Sequence, residues 1–232
     1  MANKFMAVLC CILLWSLLIH CPSGFAQGET QEMRQAAETG LREFVIPSIR
    51  NMLNVQPVGG FPPPDLPKQK YTYGFLKGEN LDDATLGQAF QLHILSSNRV
   101  HTVKNSCDYS ELNDLLHPAG TWYYPIILKN EGRCILYLTQ GRNGAWTTSG
   151  FGNQALARML YQVDRQWPKK NGYHPKLIQC DAPYDFLFTV PELGPDNLTS
   201  LSKSSNYGQV NDADTMLNII DNAFVQYEAT RQ

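Results

Sequence analysis

Apolar residues recur along the chain in two different periods, and the changes of period mark the elements. Between Glu29 and Asn54, the residues Met33, Ala37, Leu41, Phe44, Ile49 and Met52 return every three to five positions. That is one stripe of an amphipathic helix. Pro47 falls inside it and lacks the donor an internal turn needs, so a kink or restart is expected there. Gln56 to Lys68 follows, with proline or glycine at 57, 59, 60, 62, 63, 64 and 67, which predicts a stiff, extended connector.

Beyond Lys68 the period shortens. Tyr71 to Leu76 and Ala89 to Leu95 read as strands, the second with Phe90, Leu92 and Ile94 on one face. Tyr109 to Leu116 reads as a short helix. Trp122 to Leu128, Arg133 to Thr139 and Ala145 to Ser149 are three β-type runs joined by turn-rich segments at 129–132 and 140–144, a meander. Asn153 to Gln166 returns to the helical period. Leu156, Leu160, Val163 and Trp167 share a face, Asn153 is suited to cap it, and Pro168 stops it.

Lys176 to Cys180 and Tyr184 to Val190 predict two more strands, and Pro195 to Gly208 a polar loop. Ala213 to Glu228 predicts a closing amphipathic helix with Met216, Ile219, Ile220, Phe224 and Tyr227 inward and Asp212 and Asp214 at its start. Strand and helix runs do not alternate regularly. The expected fold is therefore α+β: an antiparallel sheet of about five to seven strands with a central meander, packed by N-terminal, middle and C-terminal amphipathic helices. The expected organisation is a leader at 1–26, a helix and connector at 27–68, and an α+β domain at 69–232.

The leader has the pattern of a secretory signal peptide. Lys4 gives a basic start, Phe5 to Ile19 is apolar apart from Ser16, and Ser23-Gly24-Phe25-Ala26 offers small residues before a cleavage point. The apolar run falls short of the roughly 20 residues that span a bilayer as a helix. An uncleaved anchor is the rival reading, and it lacks a stop-transfer run. Leu18-Ile19-His20-Cys21 loosely matches a lipobox, but His20 stands where a small residue belongs. The expected location is periplasmic or secreted, with no transmembrane segment after cleavage.

Composition narrows the partners. The 232 residues carry 19 basic and 21 acidic side chains, a net charge of −2, with 43% hydrophobic residues. Such a chain can bury a core, and it lacks the basic excess of a nucleic-acid-binding domain. The expected partner is a protein or small ligand in the envelope or extracellular space.

Export changes the reading of cysteine. Outside the leader only Cys107, Cys134 and Cys180 remain. Alternation puts Cys134 on the face of Leu136 and Leu138, the place of a small buried hydrophobe. Cys107 and Cys180, each followed by Asp, are then the expected disulfide.

Motifs for chemistry are weak. Gly150-Phe151-Gly152-Asn153-Gln154-Ala155 has the spacing of a dinucleotide loop, but the run before it is too polar for a strand buried on both faces. A tight strand-to-helix turn explains those glycines better, and no cofactor is expected. Cys107 before a helix, with His117 or His174 as base, is the candidate nucleophile arrangement, without a local hydrolase signature. His93, His101, His117 and His174 show no paired metal spacing. Asn211-Asp212-Ala213-Asp214 lacks the glycine and distal glutamate of a calcium loop and suits a helix cap. No metal site is expected.

Aromatic density is the positive signal. Trp122, Tyr123, Tyr124, Tyr137 and Trp146 fall within the meander, with Trp122 and Tyr124 on one face and Tyr123 on the other. Large amphipathic rings serve binding surfaces and sheet cores alike. The sequence leads to an exported, non-catalytic binding or accessory module, with Trp122, Tyr124 and Trp146 as the ligand-binding residues. The alternative is an exported hydrolase using Cys107, His117 and His174.

Overall fold

The computed structural model describes residues 28–54, 73–98, 100, 101, 115–180, 186–193, 197–201, 211, 212, 221, 222, 225 and 229. Residues 31–232 form one compact unit and residues 1–30 another. The expected leader, Cys21, the connector's Pro/Gly run and Cys107 lie outside the described residues. So does most of the expected closing helix, of which Asp221, Asn222, Val225 and Ala229 are helical.

The larger unit is mixed α+β with a largely antiparallel sheet. Its strands are β1 (Thr85–Leu86), β2 (Phe90–Leu95), β3 (Leu116–Leu128), β4 (Glu131–Gln140), β5 (Trp146–Gly152), β6 (Lys176–Cys180), β7 (Phe186–Thr189), β8 (Asn197–Ser200) and β9 (Asn211–Asp212). The order across the sheet is β5-β4-β3-β2-β6-β7-β8-β9, with β1 pairing β3. Among the described residues, β2 and β6 are the one parallel pair. The β3–β4 hairpin turns on Lys129 and Asn130, both at positive φ, as the tight twist-matched turn requires.

The N-terminal stripe forms α1 (Gln31–Gly40), a π-helical turn (Leu41–Val45) and α2 (Ile46–Asn54) in one run. The π turn precedes Pro47. The Ile46 N–H bonds the Leu41 carbonyl there, widening the ladder just where proline cannot donate. The extra residue shifts the phase of the stripe. Met33, Ala37, Leu41, Val45, Ile46 and Ile49 are buried, whereas Phe44 and Met52, expected inward, are exposed.

Three arginines at intervals of eight clasp this helix onto the segment before β2. Arg50 pairs with Asp82 at 2.8 Å, and Arg42 donates to the Asp82 and Ala84 carbonyls. Arg34 donates to the Leu86 and Gly87 carbonyls at 3.0 and 2.9 Å. Gly40 lets the helix approach β5 closely, since a methyl there would land on the Thr148 hydroxyl. The helix thus covers one sheet face, over Trp122, Tyr124, Ile126, Leu128, Cys134, Leu136 and Leu138.

The opposite face holds α3 (Gln154–Gln166). Asn153 caps it, accepting from the Leu156 N–H at 3.1 Å. Leu156, Ala157, Leu160, Val163 and Trp167 pack on Phe90, Ile135, Leu177 and Phe188. Gly132 lets β4 approach the Ala157 carbonyl, where any Cβ would overlap backbone.

Several sequence expectations change. Tyr73 to Leu76 is a turn and irregular chain, not a strand, and is pinned by Arg133, which donates to the Gly74 carbonyl at 2.7 Å. Leu116 opens β3 instead of closing a helix. Asn197–Ser200, expected in a loop, pairs with β7, and Asn211–Asp212 pairs with β8 instead of capping a helix. Gly150 and Gly152 lie within β5 opposite Tyr137 and Ile135, not in a tight turn. These changes depend on contacts outside each run itself, from 11 positions away for Phe188 and Thr199 to 59 for Gly74 and Arg133, which the pattern within one run does not specify.

Candidate functional site

The two faces of the meander have different fates, and alternation sorts the aromatics between them. Trp122 is 5% exposed and Tyr124 is fully buried, both beneath the N-terminal helix. Arg34 sits over the Tyr124 ring, 6.0 Å from its centre. Trp146 is half-buried and packs against the same cluster. These three rings therefore face the core or its border. The other side of the sheet carries α3 and its apolar cluster, with Tyr123, Tyr137 and Phe186 half-buried against that cluster.

On that side, the register lines up two short rows. Tyr123 pairs with Tyr137, which pairs with Gly150; Thr121 pairs with Thr139, which pairs with Thr147. The Tyr123 and Tyr137 rings meet edge to face, 4.9 Å between centres and inclined at 61°. Phe186 of β7 lies 6.3 Å from Tyr123. Both tyrosines and Phe186 are half-buried, Thr121 and Thr139 likewise, and Thr147 is exposed. Burial pushes the Tyr123 phenol above its usual range. It pushes Tyr137 up to about 12, helped by the neighbouring Tyr123 and Cys134. Both phenols are thus neutral donors and acceptors at ordinary pH.

The same strands carried a readable signal. On β4, Cys134, Leu136 and Leu138 are uniformly apolar, and all three are buried. Tyr137 and Thr139 alternate with them and mix ring with hydroxyl, the composition of a face not fully covered. Sequence reasoning noted Tyr123 and Tyr137 but favoured Trp122 and Tyr124.

A second constellation lies on the opposite sheet face, between the apolar clusters. His93 of β2 is 5% exposed, and its Nδ1 stands 3.2 Å from the Gln91 carbonyl. The β2–β3 register shifts between Gln91 and His93, re-aiming the ring. Burial pulls its pKa down, aided by the charge of Lys176, while main-chain bonds at Gln91 and Leu177 oppose the shift. Burial likewise lowers Lys176, against the attraction of Glu192.

Glu192, in turn, holds His174. One carboxylate oxygen accepts from the His174 N–H at 3.0 Å, and the other lies 2.8 Å from the ring Nδ1. Burial would raise the Glu192 carboxyl. The His174 and Glu192 main-chain N–H groups and the His174 ring outweigh burial and leave it below its usual value. A histidine oriented by a carboxylate through Nδ1 has its Nε2 directed away, which is the arrangement of a general base.

The other candidate nucleophile partners do not gather there. His117 is exposed on β3 opposite Ile94, which lies level with Gln179 of β6. Lys176 lies three residues back along β6, about 10 Å, and His174 precedes it, so His117 and His174 stand at different ends of the strands. Cys180 is buried at 1% exposure, and its expected disulfide partner Cys107 lies outside the described residues. Cys134 is fully buried, and burial raises its thiol pKa far above the reactive range. Among the described residues, no group of three or more metal-ligating side chains comes together, and no helix is long and apolar enough to cross a membrane.

Comparison of the chain with protein-family models, with curated proteins and with solved structures returns no match.

Proposed function

We propose that the chain is an exported, non-catalytic binding module whose contact face is the half-buried aromatic side of the meander at Tyr123 and Tyr137. The observation that carries this reading is the half-buried ring pair, in edge contact beside the α3 cluster. Rings held by a sheet offer contact area at little rotamer cost. The leader pattern at 1–26 supports export. Amino-terminal sequencing of exported material is expected to start near Gln27, and a start at a lipidated Cys21 would overturn the soluble assignment. For the face, Tyr137→Ala is expected to fold and to lose retention on a matrix that holds the unaltered protein.

One observation favours a second reading. The Glu192-oriented His174 is arranged as a base for an exported hydrolase, with Cys107 as nucleophile. A panel of fluorogenic ester and amide substrates tests it. Turnover that disappears in both Cys107→Ala and His174→Ala would establish the hydrolase and displace the binding module.

A further inference from the structure

We infer that the Tyr123–Tyr137 face of the meander is a site for a neutral glycan, with Tyr123 and Tyr137 stacking a sugar ring and Thr121, Thr139 and Thr147 bonding its hydroxyls. The inference rests on the binding-module reading and names its ligand class. Three properties of the face point the same way. The first is charge: at the paired positions 121, 123, 137, 139, 147 and 150 there is no lysine, arginine or carboxylate. A nucleic acid or a charged peptide would find no complementary group here.

The second property is the hydroxyl row. Thr147, Thr139 and Thr121 are register partners across β5, β4 and β3, so they stand side by side over two strand spacings, about 9.6 Å. Each hydroxyl both donates and accepts. A ligand made of hydroxyls uses both capacities, whereas a proline-rich peptide, which offers acceptors without donors at each proline, uses one. The third property is ring geometry. The tyrosines are inclined at 61°, forming a notch and not a flat ledge. A puckered saturated ring can lie on one tyrosine with its edge against the other, while a planar base would stack on one alone. Gly150 keeps the notch open on its β5 side, since it places no side chain beside Tyr137.

The test uses the full secreted chain and a panel of neutral oligosaccharides as probes: chitotetraose, cellotetraose, maltotetraose and a mannan fragment. Binding is followed by calorimetry and by amide shifts of Thr121, Thr139 and Thr147, alongside a proline-rich peptide. At least one oligosaccharide is expected to bind and shift those amides. Tyr137→Ala is expected to weaken it at least about tenfold. Thr139→Val, which keeps shape and removes the hydroxyl, is expected to weaken it several-fold with unchanged thermal unfolding. Failure of every oligosaccharide with the folded protein would overturn the glycan assignment. A peptide that binds this face in their place would overturn it while leaving the binding module standing. Cleavage of a bound oligosaccharide, read by chromatography of the recovered probe, would instead retain the glycan site and end the non-catalytic reading.

Discussion

Removing the charge of Glu79 is expected to be among the most damaging single changes in the fold. Its side chain is 6% exposed and lies 3.0 Å from the Arg133 guanidinium, itself 8% exposed. The same guanidinium donates to the Gly74 carbonyl at 2.7 Å and, at 3.4 Å, to Leu128. The second carboxylate oxygen of Glu79 accepts from the Leu76 N–H at 2.8 Å. Together they pin the irregular stretch 73–80 onto the β3–β4 hairpin. At 3.0 Å and an effective dielectric of about 20, the pair attracts by roughly 5 kcal/mol.

Glu79→Gln keeps the shape and the acceptor for Leu76 but leaves Arg133 buried with carbonyls and the exposed Glu131, 3.5 Å away. Stranding one buried charge typically costs about 3–5 kcal/mol. For a unit of this size that corresponds to a fall in Tm of roughly 6–20 °C. Urea unfolding of Glu79→Gln, Arg133→Met and the double variant measures it. The double variant should lose less than the sum of the singles, with a coupling above about 1 kcal/mol. A Glu79→Gln loss below about 1 kcal/mol, or strict additivity, would refute the reasoning.

Four further outcomes follow from the packing and the charges. Gly132→Ala should destabilise by about 1–3 kcal/mol, because its methyl meets the Ala157 backbone. Gly40→Ala meets the Thr148 side chain first and should be rescued by adding Thr148→Ala; equal losses in the presence and absence of that second change would contradict the close approach of α1 to β5. Trp122→Ala and Tyr124→Ala should each cost about 3–5 kcal/mol in chemical unfolding, as buried core rings. Near-native stability in either would return that face to the surface. His93 has its pKa lowered by burial, so the unfolded chain binds its proton more readily than the folded one. Stability from this group is complete above the ordinary value of 6.5 and is lost as pH falls through it toward the folded value. His93→Gln should flatten that acid slope in a Tm-versus-pH series.

Local pattern determined the parts of this protein that depend on near neighbours. The period of Leu156, Leu160 and Val163, with Asn153 before them and Pro168 after, specified α3 to within a residue. The runs around 122–128 and 133–139 specified a hairpin, because its turn and its strands are contiguous in sequence. Alternation also separated Tyr123 from Trp122 and Tyr124. Which of those faces is covered was decided elsewhere. The N-terminal helix, which ends at Asn54, 62 positions before β3 begins at Leu116, buries Trp122 and Tyr124, and it does so through Arg34 and Arg42 reaching carbonyls at 82–87 and through the close approach of Gly40 to Thr148. The joining of His174 to Glu192, the re-aiming of His93 by a bulge, and the parallel pairing of β2 with β6 are contacts of the same long-range kind. A side chain's own neighbours set its secondary structure and its face. Only the tertiary fold, by bringing distant elements together, sets whether that face meets protein or water.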